Sequence, residues 1–76
     1  MDKYQVLGLN ITYYRKLRGF TQAQLAEKLF ITRHHLSRIE SPNADKSFSI
    51  AVIFDIADAL EVDVAMLFDK RTQTKS

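Results

Sequence analysis

Apolar residues recur along this chain at steps of three and four positions, the spacing that lines one face of an α-helix. Alternating polar and apolar positions, which would indicate a β-strand, do not persist over a useful length. The pattern therefore predicts an all-α fold, a compact five-helix domain with helices at about residues 5–18, 22–29, 33–41, 50–60 and 64–68.

Each of the four longer predicted helices has an apolar stripe that we expect to face a common core. The stripes comprise Leu7, Ile11, Tyr14 and Leu17 in the first helix, Leu25, Ala26 and Leu29 in the second, Leu36 and Ile39 in the third, and Ile50, Ile53, Phe54, Ala57 and Leu60 in the fourth. A core of this size is typical of a small domain with marginal stability.

Residues that suit helix ends stand at the predicted boundaries. Gly19 follows the first helix, where glycine readily adopts the left-handed conformation. Thr21 and Gln24 have the spacing of a capping box at the start of the second helix, and Pro42 stops the third. The remaining predicted N-caps are Thr32, Asp63 and Ser49, with Ser47 as the alternative to Ser49.

The length and composition limit the class of protein. With 76 residues the chain can form one domain, which we place at residues 1–70, followed by a polar tail at 71–76. It contains no cysteine, which excludes disulfides and thiolate metal sites. We find neither a signal peptide nor an apolar run of the roughly 20 residues that span a membrane. These features favour a cytoplasmic protein without a small-molecule effector domain.

Charge is distributed unevenly along the chain. Residues 15–46 contain seven Lys or Arg and three Asp or Glu, whereas residues 47–69 contain five Asp or Glu and no Lys or Arg. One part of the domain is therefore suited to a polyanion and the other is not. Charge alone leaves a second interpretation open, in which both are ordinary solvated faces.

The second and third predicted helices are short and separated by about three residues, as in a helix-turn-helix. In that motif the first helix crosses the DNA backbone and the second enters the major groove. The outward face of the third helix carries Arg33, His34, Ser37 and Arg38, which can all form hydrogen bonds. Two short helices of an ordinary bundle, or a solvated polar face, remain alternatives on this pattern alone.

The chemistry of these side chains suits double-stranded DNA. Arginine can contact O6 and N7 of guanine together, which discriminates between bases by about 1–3 kcal/mol. Thr32 and the free N–H groups at the start of the third helix can hold a phosphate, and Gln22 can do the same at the start of the second.

Residues 7–68 resemble the Cro/phage-repressor type of helix-turn-helix protein, often called XRE-like. The resemblance lies in the segments YYRKLRGFTQAQLAEKL, ITRHHLSRIE and IFDIADALEVDVAMLF, whose order and spacing are near those of the family. It implies that Gln22 binds phosphate and supports the recognition helix, and that Arg33, His34 and Arg38 read bases. Ser37 between them would contact sugar-phosphate or base.

The resemblance also implies a structural ion pair between Arg15 and Glu40, linking the first and third helices. This sequence departs from the family pattern at three places. Phe30 stands in the turn where glycine is common, which predicts either a reshaped turn or a ring packed on the surface. The loop at 41–48 is about two residues longer than usual and carries Lys46, a candidate phosphate contact. Glu61 replaces a common glycine after the fourth helix.

Metal binding and catalysis find little support in the sequence. His34 and His35 are adjacent on a helix and diverge by about 100°, and no further histidine or cysteine completes a tetrahedral site. There is no glycine-rich phosphate loop, nucleophile elbow or metal motif. We therefore expect no cofactor, no metal and no enzymatic activity.

A single domain of this kind contacts one half-site, so we expect a homodimer on a palindromic operator. The candidate dimer contacts, which could equally belong to the core, are Val52, Val64, Met66 and Phe68. The sequence thus predicts a bacterial or phage-encoded, nucleoid-associated transcriptional regulator, most simply a repressor. The alternatives are an antitoxin or controller protein of a two-gene cassette, and an interaction module that no longer binds DNA.

Overall fold

The computed structural model describes residues 2–41 and 49–74, which form five α-helices and a short 3₁₀ helix. The elements are α1 at Lys3–Leu17, α2 at Gln22–Leu29, α3 at Arg33–Glu40, α4 at Ile50–Leu60, α5 at Val64–Leu67 and the 3₁₀ helix at Lys70–Thr74. Within these ranges no strand is present, so the all-α, five-helix prediction is confirmed. α1 packs against α3, α4, α5 and the 3₁₀ helix, while α2 packs against α3 and α4.

Helix starts follow the local hydrogen-bonding chemistry. α1 begins two residues earlier than predicted because the Asp2 carboxylate accepts the N–H groups of Tyr4 and Gln5, and the Gln5 side chain accepts the N–H of Asp2. The capping box predicted at Thr21 is present. Ser49 and Asp63 occupy N-cap positions but make no side-chain cap hydrogen bond, and Ser47 lies outside the described residues.

The core contains most of the predicted apolar stripes, but the prediction was wrong for three residues. Leu17 is 60% exposed, Ile50 69% and Phe54 52%, while Ile56 is fully buried. Apolar residues occur on every side of α4, so several faces compete for the core. The face that packs into the core comprises Ile53, Ile56, Ala57 and Leu60. Ile50 and Phe54 therefore point to solvent.

The turn between α2 and α3 keeps the left-handed conformation that favours glycine. Phe30 has φ 59° and ψ 36° and its side chain is 96% exposed, so it neither reshapes the turn nor packs on the surface. Its N–H bonds to the α2 carbonyls and so closes the helix. Glu61 adopts the same conformation at the end of α4.

Replacing Phe30 with glycine should raise the free energy of unfolding by about 0.5–1 kcal/mol. The variant relieves left-handed strain of about 1–3 kcal/mol. Part of this gain is offset because glycine loses more conformational entropy on folding than phenylalanine does. Urea unfolding measures the gain, and Phe30→Ala is the matched control because it removes the ring but keeps Cβ. Equal stability of the glycine and alanine variants would show that strain at this position is negligible.

The last described residues belong to the packed structure. Thr72 is buried, and the fully buried Asn10 of α1 donates from Nδ2 to the carbonyl oxygens of Leu67 at 2.9 Å, Asp69 at 3.0 Å and Met66 at 3.3 Å. One amide therefore closes the end of α5 and ties it to α1. The predicted polar tail from residue 71 overlaps this 3₁₀ helix, and the division of the chain at residue 70 stays a prediction.

Candidate nucleic-acid interface

α3 presents the predicted polar face to solvent. Leu36 and Ile39 are buried, which turns Arg33, His34 and Arg38 outward as exposed side chains and leaves Ser37 half-buried. Arg33 and Ser37 are one turn apart, as are His34 and Arg38, so the four side chains share one surface. The structure thus brings together the residues for which the sequence predicted base reading.

The start of α3 offers donors to an anion. The hydroxyl of Thr32 caps the helix by accepting the N–H of His35 at 3.0 Å. The preceding N–H groups, those of Arg33 and His34, lie in the first turn and have no acceptor within the helix. A phosphate at this end would meet these donors and the positive end of the helix dipole.

The far end of α3 is held by a buried ion pair. Arg15 Nε lies 2.7 Å from Glu40 Oε2, and Arg15 Nη2 donates to Glu40 Oε1 at 3.1 Å. The side chains are only 8% and 4% exposed. Arg15 Nη1 also donates to the carbonyl oxygen of Phe20 at 2.8 Å, so the guanidinium joins α1, the α1–α2 loop and α3. The contact implied by the family resemblance is present.

Glu40 Oε1 accepts two further hydrogen bonds. The hydroxyl of Thr12 donates at 2.9 Å and Gln22 Nε2 at 3.1 Å. Gln22 therefore supports the recognition helix through Glu40, and the second hydrogen of its Nε2 is left for a phosphate. Sequence reasoning missed Thr12, because no local pattern indicates a partner 28 residues away.

α1 and α3 approach each other closely beside this ion pair. A Cβ atom built on Gly8 would lie 2.6 Å from the carbonyl oxygen of Glu40. Gly8 is therefore required by the close backbone approach and not by a turn. The absence of a side chain at Gly8 and the hydrogen bonds around Glu40 together set the distance between α1 and α3 at this point.

Among the described basic residues of the segment at 15–46, Arg15 and Arg18 serve the fold. Arg15 is paired with Glu40, and Arg18 donates from Nε to the carbonyl oxygen of Leu60 at 2.8 Å, which neutralises the end of α4. Arg18 also reaches the carbonyl oxygen of Glu61 at 3.4 Å. Lys46 lies outside the described residues. Arg33 and Arg38 are therefore the described cations on the outward face of α3.

The candidate dimer residues are divided between core and surface. Val52, Val64 and Phe68 are half-buried and pack against the core, whereas Met66 is 37% exposed. Packing against the core thus explains the buried part of the Val52, Val64 and Phe68 side chains. Their contact with a second copy stays a prediction.

The described residues form neither a metal cluster nor a helix that could span a membrane. No three His, Asp or Glu side chains in residues 2–41 and 49–74 come together as a metal site requires. Over the same ranges, no helix has both the length and the apolar character needed to cross a bilayer.

Comparison with known proteins was made by sequence and by structure. Residues 11–67 match a sequence profile described as helix-turn-helix. The HTH-type transcriptional regulator SinR of Bacillus subtilis (strain 168) is 33% identical over 70 residues, which cover 92% of this chain and 62% of SinR. The chain thus spans less than two thirds of the length of the curated relatives it matches.

Solved structures of SinR superimpose on this fold. The crystal structure of SinR in complex with DNA gives a TM-score of 0.74 at 35% identity, covering 83% of this chain and 98% of that chain. The complex of SinR with the SinI protein gives a TM-score of 0.77 at 33% identity, covering 92% of this chain and 67% of that chain. With the profile match and the geometry of α2 and α3, these comparisons show that the chain belongs to the helix-turn-helix family of the Cro/phage-repressor type.

Proposed function

We propose that this chain binds specific sequences of double-stranded DNA and regulates transcription, with α3 in the major groove. The observation that carries the proposal is the exposed polar face of α3, where Arg33, His34, Ser37 and Arg38 share one surface. A helix that reads bases must be held at a fixed angle, and the buried Arg15–Glu40 pair supplies that constraint. SinR, a relative named as a transcriptional regulator, has been solved in complex with DNA.

The side chains would have separate tasks on the duplex. Gln22 and the first turn of α3 at Thr32 would contact phosphates, which positions the domain without reading the sequence. Arg33 and Arg38 would contact base edges, most favourably guanine, with His34 and Ser37 beside them. Lys46 would add a phosphate contact from the loop between α3 and α4.

A regulator of this size gains affinity and specificity by pairing. Two copies on a twofold axis would place their recognition helices about 34–36 Å apart, one turn of DNA, and would read a palindrome. Met66, the exposed member of the candidate dimer set, is the first position at which to look for a contact between copies. Occupation of a promoter by such a dimer would repress transcription in the bacterial cytoplasm.

A selection from random duplex DNA at near-physiological salt, with the full chain, tests this proposal. We expect an enriched palindrome whose half-sites are about 10 base pairs apart, centre to centre. Weak binding that enriches no sequence and falls steeply with salt would contradict it. That result would favour the alternative of an antitoxin-like or interaction protein, and the complex of SinR with SinI shows that a relative binds a partner protein.

A further inference from the structure

Phe30 is an aromatic side chain whose exposure the fold does not explain. It is the most exposed of the large apolar side chains in the described residues, at 96%, and its backbone adopts a conformation that favours glycine. Burial in the core would compensate for such strain, but this ring buries almost nothing within the monomer. The ring of Phe30 is therefore accessible to a second molecule.

Phe30 borders a cleft of about 470 Å³ between α2 and α4. Leu29 and Ala59 supply further apolar lining, and Asp55 and Asp58 of α4 supply carboxylates. Within residues 2–41 and 49–74, neither aspartate side chain takes part in a hydrogen bond or an ion pair. The α2 side of the cleft thus supplies most of its apolar lining, and the α4 side supplies its carboxylates.

The apolar surface continues along α4. Phe54 is 52% exposed and stands one helical turn before Asp58, so the two share a ridge. Asp58 also lines the cleft with Phe30, so the exposed Phe54 lies on α4 one turn from a residue of the cleft. We call Phe30, Phe54, Asp55 and Asp58 the α2–α4 surface.

The charge of the α2–α4 surface indicates what it can bind. Its carboxylates would repel phosphate, which disfavours nucleic acid as the occupant. Lys28 also borders the cleft, with its Nζ 6.0 Å from the centre of the Phe20 ring, but the lining keeps a net negative charge. Aromatic anchors beside unpaired carboxylates suit a segment that carries apolar and cationic side chains together.

We propose that the α2–α4 surface docks an amphipathic basic helix of a partner protein. Apolar side chains of that helix would cover Phe30 and Phe54, and a Lys or Arg one turn away would pair with Asp55 and Asp58. None of the side chains proposed to contact DNA lines this cleft. The proposed partner and the proposed DNA therefore use different side chains of this chain.

Nuclear magnetic resonance titration of the ¹⁵N-labelled full chain tests this proposal with two synthetic amphipathic helices. Both peptides have the same leucine face, and the polar face is lysine in one and glutamate in the other. We expect the lysine peptide to shift the amide signals of Phe30, Phe54 and Asp58 saturably, and to bind at least about tenfold more tightly than the glutamate peptide.

Variants separate the two components of the surface. We expect Phe30→Gly to lower the affinity for the lysine peptide roughly tenfold, and the double variant Asp55→Asn with Asp58→Asn to do the same. DNA binding should stay unchanged in both. Asp63→Asn is the matched control, because it removes an exposed charge outside the cleft and should leave the peptide affinity as it was.

Three results would overturn the proposal. One is equal binding of both peptides, and another is no binding of either. The third is concentration-dependent shifts of the same signals without peptide, which would identify a second copy of this chain as the occupant. Failure of the wild-type chain to bind DNA would contradict the proposed function alone, because the peptide titration does not involve DNA.

Discussion

Replacing Arg15 with leucine is expected to lower the free energy of unfolding by about 3–5 kcal/mol. The variant removes the partner of Glu40, whose side chain is 4% exposed in the ion pair, and leaves only Thr12 and Gln22 as hydrogen-bond donors to the carboxylate. The carbonyl of Phe20 also loses the donor that Arg15 supplies. Small domains have a total stability of about 5–15 kcal/mol, so much of the chain would unfold under mild conditions.

Urea unfolding followed by circular dichroism measures this effect. The double variant Arg15→Leu with Glu40→Leu is the informative partner, because it removes both charges and should recover much of the lost stability. Arg18→Leu is the matched control for removing an arginine from α1, and we expect a smaller loss since that side chain is exposed. A cost below about 1 kcal/mol for Arg15→Leu would mean that water reaches the pair.

The position of α3 could be predicted from sequence because the pattern there permits one solution. α3 has two large apolar residues, Leu36 and Ile39, and once they point inward the outward face is determined. The caps at Thr21 and Thr32 act through hydrogen bonds three residues away, so a short stretch of sequence contains the whole interaction. Local determinants of this kind fix most of the candidate interface.

The outward face of α4 could not be predicted in the same way. Ile50 and Phe54 are as apolar as the residues that face the core, and periodicity alone does not rank competing stripes. The choice depends on which face meets α1 and α2, which is a tertiary property. The α2–α4 surface therefore could not be predicted from the sequence pattern.

Polar contacts between distant residues were also beyond sequence reasoning. Asn10 reaches carbonyls 56 to 59 residues away, and Arg18 reaches the end of α4 across 42 residues. Both residues look like ordinary helical polar positions in the sequence, and Arg18 lies within the positively charged segment at 15–46. Their roles follow only from the packing that brings helix ends against α1.

Replacing both Arg33 and Arg38 with alanine should abolish most of the selectivity of DNA binding. Each arginine that contacts a guanine contributes about 1–3 kcal/mol of discrimination, so the double variant should lose roughly two to four orders of magnitude in specificity. Both side chains are exposed, and we expect a change in stability of no more than about 0.5 kcal/mol per site. A loss of selectivity could then be assigned to the contacts themselves.

The measurement compares affinity for the duplex that the wild-type chain enriches with affinity for an unrelated duplex, across a salt series. Lys46→Ala is the matched control, because loss of a phosphate contact should lower the affinity for both duplexes alike. It should also reduce the slope of log affinity against log salt concentration by about 1. If the double arginine variant keeps the wild-type ratio between the two duplexes, α3 does not read bases through these side chains. If the ratio collapses while Lys46→Ala preserves it, recognition resides in the exposed face of α3 and the loop contributes affinity alone.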